Sequence, residues 1–396
     1  MTVDYRYDDG VNARKKLLLV TEAWRPEVGG VQRYLEGLMT YLAEWERTVV
    51  APAAARAEQG RDEANVNVVR RHFYRFFVRP RWFFLYKFVQ RLVLQREIKV
   101  LLCGKALFEG RLALKIKTKW HIPYVVFTYA MEIETWLAQG RRKQLSRVLM
   151  GASQVFYLND HMRRELVGLG VAQEHLTYLP PAVNEYFLEK DAVYHELKDR
   201  FGLPDQYVFV AARLVARKGV DIVLEAFAQL DQTRWGDLGL VIMGDGPELA
   251  RLQMMAEALL LNTSDGIGRV FFVGAVNDEE LRALYAGATL FALAPRELAG
   301  DMEGFGIVFL EAAAQYLPVV ATRTGGVTEA VEHNVAGILV SPDDAAAFSG
   351  AITKLLEDPE LARRYGQAGR RRVERDFMWS AQVKKLDSVL STIVNQ

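Results

Sequence analysis

Short apolar runs and helical stripes alternate along this chain in two successive series. In the first half, KLLLV (16–20), RTVVAP (47–52), VNVVR (66–70), KVLLCG (99–104), PYVVFT (123–128) and ASQVFYLN (152–159) are short, continuous and rich in Val, Leu and Phe. Runs of this kind read as parallel strands covered on both faces, where the in–out alternation of a half-exposed strand disappears. Between the first two lies VQRYLEGLMTYLAEW, with Val31, Tyr34, Leu35, Leu38 and Leu42 at helical spacing. The second half repeats the pattern with YVFVAARL (207–214), LGLVIMGDG (238–246), RVFFVGA (269–275), LFALAP (290–295), PVVATR (318–323) and AGILVS (336–341). FMWSAQVKKLDSVLSTIV closes the chain as a helix. HLTYLPPAVNEYFLEKD, with paired prolines at 180–181, reads as the linker between the halves. Strand–helix alternation in both halves predicts an α/β protein with two doubly wound parallel sheets, and ligands at the carboxyl ends of their strands. Two facing sheets place the site in the cleft between them.

Length and composition fit that picture. A chain of 396 residues has room for two domains, and 51% apolar with 25% charged residues is ordinary globular usage. A net charge of +1 argues against a bulk nucleic-acid binder. The single cysteine, Cys103, has no internal partner, and no signal peptide is recognisable, so the expected location is the reducing cytoplasm. No apolar stretch approaches the roughly 20 residues of a membrane span.

Candidate chemistry gathers in loops that follow strands. In GDMEGFGIVFLEA (300–312), Glu303 falls in a glycine-rich loop after LFALAP, and Glu311 falls on the helix that IVFLEAAAQY predicts. Helical side chains lean toward the N-terminus, so Glu311 can point back at that loop, and the helix start offers free N–H groups to an anion. Carboxylates suit sugar hydroxyls; the donors beside them suit phosphate. The plainer reading makes Glu303 a solvated loop residue and Glu311 a surface helix residue. ARLVARKG (212–219) sets Arg213 and Lys218 in a strand-to-helix loop, where two cations can clamp a diphosphate or form an ordinary basic turn. EVGGVQRY (27–34) places Gly29 and Gly30 before a helix, a weak signal alone. GDGP (244–247) reads as a turn. All these clusters fall at the carboxyl ends of strands, and that coincidence outweighs any one of them.

Taken in this order, the motifs resemble the retaining, nucleotide-sugar-dependent glycosyltransferases of family four, over nearly the whole chain and most strongly at 207–331. Glu303 and Glu311 match the family's E-x7-E motif, Arg213 and Lys218 its diphosphate-holding pair, and Gly29–Gly30 its glycine loop. GDMEGFGIVFLEA with TRTGGVTEAV (322–331) looks closest to the phosphatidylinositol-mannoside mannosyltransferases. The resemblance implies a GT-B fold of two Rossmann-like domains facing across a cleft. An acceptor-binding domain at 1–185 is completed by the C-terminal helix 377–396, and a donor-binding domain spans 186–376. It implies transfer of a hexose from a UDP-, GDP- or ADP-sugar to a lipid-linked or saccharide acceptor, with retained configuration, no cofactor and no required metal. Glu303 would then bind the transferred sugar and Glu311 the ribose. Phe305, Gly306, Ile307 and Val308 would offer N–H groups to sugar and phosphate, and Arg213 and Lys218 would neutralise the leaving diphosphate. Asp301-x-Glu303 imitates a metal-binding D-x-D, but the cations take the metal's place. Base contacts are expected around Val273–Val276.

Two departures stand out. Many relatives read T-H-G-H-E after the fifth strand, whereas this chain reads TYAMEI (128–133), so Tyr129 and Met131 stand near the histidine positions and Glu132 at the acidic one. These three are candidates for the acceptor or sugar side. PPAV (180–183) replaces a PNGV-like segment. The altered loop keeps open a catalytically silent nucleotide-sugar binder, and another GT-B enzyme such as an epimerase is a further alternative. At 70–91, RRHFYRFFVRPRWFFLYKFVQR interleaves cations with aromatic rings. It reads either as a core element with a basic face or as a peripheral contact with the inner face of an anionic membrane through Arg75, Arg79 and Arg81. No nucleic-acid-binding motif accompanies it.

Overall fold

Each of the twelve apolar runs named above coincides with a strand to within one residue or encloses one in the computed structural model, which describes residues 14–26, 29–53, 66–74, 80–189, 194–259, 269–298 and 302–396. Lys16–Val20 (β1), Glu46–Pro52 (β2), Asn67–Arg71 (β3), Val100–Cys103 (β4), Tyr124–Phe127 (β5), Gln154–Tyr157 (β6) and Leu176–Tyr178 (β7) form one sheet, ordered β3-β2-β1-β4-β5-β6-β7. Tyr207–Ala211 (β8), Gly239–Met243 (β9), Val270–Gly274 (β10), Leu290–Leu293 (β11), Val319–Thr322 (β12) and Gly337–Val340 (β13) form the other, ordered β10-β9-β8-β11-β12-β13. Adjacent strands are parallel in both sheets. In each sheet the order reverses once, between β1 and β4 and between β8 and β11, and a crevice opens outside the strand ends there.

The continuous apolar character of the strands has the expected cause. Leu17, Leu18 and Leu19 on β1, and Phe209 and Val210 on β8, are fully buried because helices cover both faces of each sheet. One element departs from the sequence reading. Leu176–Tyr178, assigned to the linker, is an edge strand paired to β6 alone, and its three half-buried residues carry too little pattern to register as a strand.

The C-terminal helix Trp379–Asn395 returns to the first sheet's layer, where Trp379, Val383, Leu386 and Leu390 pack with Leu17, Leu35 and Leu102. Trp379 lies so close to the helix Gly30–Tyr41 that a Cβ on Gly37 would come within 2.1 Å of its indole ring. Burying a ring of this size contributes on the order of 3 kcal/mol. Trp45 Nε1 donates to Asp387 Oδ1 at 2.7 Å and pins the middle of the helix. The chain therefore passes between the two layers twice, and the crossings lie side by side: the Val183 N–H donates to the Phe377 carbonyl at 2.8 Å, and Val183 and Met378 form a parallel bridge.

Candidate active site

After β11 the chain turns into the helix Ile307–Ala314, whose apolar residues are buried on nearly every side. Gly306 caps it in the left-handed region, φ +84°, and a Cβ there would sit 2.5 Å from the Phe309 ring, so this start requires glycine. Glu311, 3% exposed, is the single charge in the helix. Glu303, 8% exposed, precedes the cap and meets two cations, the Lys218 ammonium and the Arg217 guanidinium, the latter at 3.0 Å. Burial pushes the Glu303 carboxyl up, but Lys218 and then Arg217 outweigh it and hold it below the usual carboxylate range. It is therefore ionised at neutral pH. TRTGGVTEAV backs the loop: the Gly326 N–H donates to the Glu303 carbonyl at 2.9 Å, and a Cβ on Gly326 would collide with the Gly304 carbonyl at 2.2 Å.

Lys218 and Arg217 lie on a short helical turn, Ala216–Lys218, after β8. Arg296 braces that turn. Its N–H donates to the Arg217 carbonyl at 2.9 Å and its Nε to the Ala216 carbonyl at 3.1 Å, while its guanidinium grips Asp221 and, at 2.9 Å, Asp343. Arg296, joined by Arg251, overcomes the effect of burial and keeps the Asp221 carboxyl below its ordinary range. GDGP does more than turn, because its Asp245 carbonyl accepts from the Leu214 N–H at 2.9 Å and supports the same loop. Arg213 stands on this loop with its side chain exposed, so Arg217 occupies the place beside Lys218 on Glu303. ARLVARKG displayed both arginines, and only the three-dimensional turn distinguishes them.

Glu311 accepts from the Tyr285 hydroxyl at 3.0 Å and lines a cavity of about 630 Å³ between the halves, with Arg25, Arg33, Asn184, Tyr186 and Ile307. Burial raises its carboxyl, Arg33 and Tyr285 offset part of this, and the result is about 7. Arg33 extends from the helix Gly30–Tyr41 to within 3.8 Å of Asp278 on the opposite half. Gly29 is extended, Gly30 opens that helix, and a Cβ at either position would meet nothing within 4 Å, so their backbone is approachable. Tyr285, Arg33 and Arg217 escaped the sequence reading.

The first sheet presents a different group of side chains at its carboxyl end. Glu132 Oε1 accepts from the N–H groups of Ala106 at 2.8 Å and Leu107 at 3.3 Å, while its Oε2 is buried without a protein partner. Glu109, 1% exposed, accepts from the Glu22 N–H at 2.8 Å and from the Lys105 N–H. Burial, reinforced by Glu22, drives Glu109 well above the usual carboxylate range, and burial carries Glu132 to about 7. Lys105 Nζ lies 3.7 Å from Glu22. The Tyr129 hydroxyl is buried and unpartnered, its ring edge-on to Tyr34, and Met131 is exposed. Among the described residues, no group of three or more His, Cys, Asp or Glu is placed to hold a metal ion.

The halves also touch directly. Asn159 Nδ2 donates to the Gly304 carbonyl at 2.6 Å, and the Asp160 N–H donates to Glu329 Oε1 at 2.8 Å.

Comparison with known proteins accords with this geometry. Residues 194–372 match the model for glycosyl transferases group 1, and residues 28–186 match that for glycosyltransferase family 4. The GDP-mannose-dependent alpha-(1-6)-phosphatidylinositol monomannoside mannosyltransferase of Mycolicibacterium smegmatis is 32% identical, over 95% of this chain and 98% of that protein. This chain belongs to the family-four glycosyltransferases. Its family-four relatives include a GDP-mannose-dependent monoacylated alpha-(1-6)-phosphatidylinositol monomannoside mannosyltransferase of Corynebacterium glutamicum, 26% identical over 96% of this chain and 99% of that protein. The GT-B fold of this glycosyltransferase superimposes on the crystal structure of Anabaena Alr3699/HepE in complex with UDP. The TM-score is 0.81 at 19% identity, covering 96% of this chain and 100% of that one.

Of the basic–aromatic stretch, Arg75 and Arg79 lie outside the described residues. Arg81 is exposed just before the helix Phe83–Arg96. That helix buries Leu85, Val89, Leu92 and Val93 and exposes Phe83 (37%), Phe84 (47%) and Leu94 (50%), so part of the stretch is core and part is surface. Among the described residues, no helix is long and apolar enough to cross a membrane.

Proposed function

We propose that this glycosyltransferase moves a hexose, mannose from GDP-mannose in the first instance, onto a lipid-linked or polysaccharide acceptor, retaining anomeric configuration without a metal. The observation that carries the reading is Glu303 held by Lys218 and Arg217, on the loop that leads into the Gly306-capped helix, with Glu311 facing the cleft. The choice of GDP-mannose and of a lipid-linked acceptor is supported by the names of the mannosyltransferase relatives.

Glu303 binds hydroxyls of the transferred sugar and faces its anomeric carbon. Phe305, Gly306, Ile307 and Val308 present N–H groups that lack intrahelical partners at a helix start, and Gly29–Gly30 lets phosphate approach from the other half. Lys218 and Arg217, with Arg213 at the rim, face the diphosphate. Holding that charge in place before the donor arrives costs less because Glu303 offsets part of it. When the glycosidic bond breaks, negative charge grows on the leaving diphosphate, and fixed cations in a water-poor cleft stabilise that change more than they stabilise the ground state. Attack from the same face through an oxocarbenium-like ion pair needs no enzyme base at the ordinary position. Glu311 takes the ribose hydroxyls. The acceptor enters over Tyr129, Met131 and Glu132, and Arg75, Arg79 and Arg81 hold the protein at the inner face of an anionic membrane.

The test is a melting panel with UDP, GDP and ADP and their sugar conjugates, with and without magnesium, followed by transfer assays with an anomeric read-out. A nucleotide at 100 times its dissociation constant adds about 2.7 kcal/mol of stability. A GDP-specific shift independent of magnesium, and an α-linked product from GDP-mannose, are expected. No shift with any nucleotide removes the donor site, and binding without transfer or hydrolysis leaves a silent binder.

A further inference from the structure

Asn159 joins the two halves of the molecule at the donor loop. It follows β6, caps the helix Asp160–Gly168 and is 1% exposed. Its Oδ1 accepts from the Met162 N–H at 2.8 Å, and its Nδ2 donates to the Gly304 carbonyl at 2.6 Å. Both partners are obligate, a donor on one side and an acceptor on the other, so only one orientation of the amide satisfies them. One residue on, the Asp160 N–H donates to Glu329 Oε1 at 2.8 Å. The loop thus hangs between opposite supports: the Glu303 carbonyl is held by Gly326 from its own half, and the Gly304 carbonyl by Asn159 from the other. Glycine at 304 leaves the backbone at these supports little stiffness of its own.

We propose that Asn159 is a positioning residue for glycosyl transfer, making the seating of Glu303 conditional on closure of the two halves. This rests on the reading of Glu303 as the carboxylate that binds the transferred sugar. With the halves together, Asn159 fixes the Gly304 peptide, and Glu303 is set against Lys218 and Arg217 in the geometry the sugar meets. With the halves apart, the Gly304 carbonyl loses that donor, and Glu303 keeps only its cations and the Gly326 N–H on its own carbonyl. The closed arrangement therefore completes the sugar-binding part of the site, whereas Lys218, Arg217 and the helix-start N–H groups that face the diphosphate belong to the second half and stay assembled; of the phosphate contacts, only the Gly29–Gly30 backbone comes from the first half.

Asn159→Asp separates this role from helix capping. Aspartate caps a helix as well as asparagine does, but it donates nothing and sets an oxygen against the Gly304 carbonyl. The expected result is a melting temperature close to wild type, an unchanged dissociation constant for GDP by calorimetry, and a kcat with GDP-mannose lowered about 100-fold, the cost of an ångström-scale misplacement. The advantage of GDP-mannose over GDP in binding shrinks as well. Glu329→Ala, which removes the neighbouring contact, lowers kcat too, and the double variant falls short of the product of the two effects because both act through the same closure. An Asn159→Asp protein with wild-type kcat overturns the inference. So does a kcat loss matched by equal losses in GDP affinity and melting temperature, which would mark a merely structural residue. The two readings fail differently: a wild-type protein inert toward every sugar nucleotide removes the donor reading itself, whereas an active wild type with an equally active Asn159→Asp removes this inference alone.

Discussion

The two sheets place carboxylates at equivalent ends of their strands and treat them in opposite ways. On the second sheet, Glu303 is buried against Lys218 and Arg217, and Asp221 against Arg296, so the charges are matched and both carboxyls stay below their ordinary range. On the first, Glu22, Glu109 and Glu132 lie near Lys105, and Glu109 and Glu132 are pushed upward with one carboxylate oxygen left unpartnered. Matched charge keeps cations ready for a ligand that brings phosphate. Unmatched carboxyls hold protons or seek hydroxyls, as suits a ligand rich in hydroxyl groups and poor in charge. The difference teaches that nearly the same topology can carry opposite charge environments at its strand ends.

Breaking the matched side has the largest effect. Lys218→Ala leaves Glu303 buried with one cation instead of two. Transfer turnover is expected to fall by about 10³, and stability by about 3 kcal/mol, measured by product formation and by denaturant unfolding. Glu303→Ala should lower turnover by at least about 10² while the fold stands. Near-normal rates in either protein would remove the matched pair from the chemistry.

Glu311 lies between the two regimes, and its pH dependence sharpens the contrast. Its carboxyl titrates near 7 in the fold against 4.5 when unperturbed. Between those values the folded state binds more protons than the unfolded one, so stability declines as pH rises through the window, by up to about 3 kcal/mol. Glu311→Gln should make that decline shallower in urea titrations from pH 4.5 to 8, leaving the share that Glu132 contributes over the same window. Nucleotide affinity should rise across the same window in wild type, because ribose hydroxyls donate to the ionised form. An identical pH profile in Glu311→Gln would shift the titration to another group.

The unmatched side predicts a smaller change of opposite sign. Glu109→Gln removes a carboxyl that burial already disfavours in its charged form, so unfolding at pH 8 should show a stability within about 1 kcal/mol of wild type or higher. A loss comparable to that of Lys218→Ala would mean that Glu109 is paired after all. Smallest of all, Arg81→Ala should weaken binding to anionic vesicles at low salt by about 1 kcal/mol; unchanged cosedimentation would count against a membrane face there.

These contrasts were unevenly legible in the sequence. Buried parallel strands announce themselves as continuous apolar runs, and β7 was missed because three residues on one edge make no run. Glu303 and Glu311 could be found because the strand, the glycines and the helix that present them are contiguous. Of their partners, only Lys218 was a candidate from the sequence. Tyr285 meets Glu311 across 26 residues of chain, and Asn159 meets Gly304 across 145, distances closed only by how the sheets wind and how the halves meet. ARLVARKG shows Arg213 and Arg217 alike, and spacing alone does not say which of them meets Glu303.

The paired crossings at Val183 and Met378 have a mechanical consequence. Among the described residues, two chain segments, tied to each other by a hydrogen bond, join the halves covalently, and both run through one small region. A body joined to another along a single line turns about it like a book about its spine and resists sliding. The spine stays still while the page edges travel, so a slight rotation there would move the Asn159 amide away from the Gly304 carbonyl while the second half's phosphate-facing cations remained undisturbed. Substitutions that stiffen residues 182–184 or 377–378 should therefore slow opening and product release without touching any group that meets the sugar.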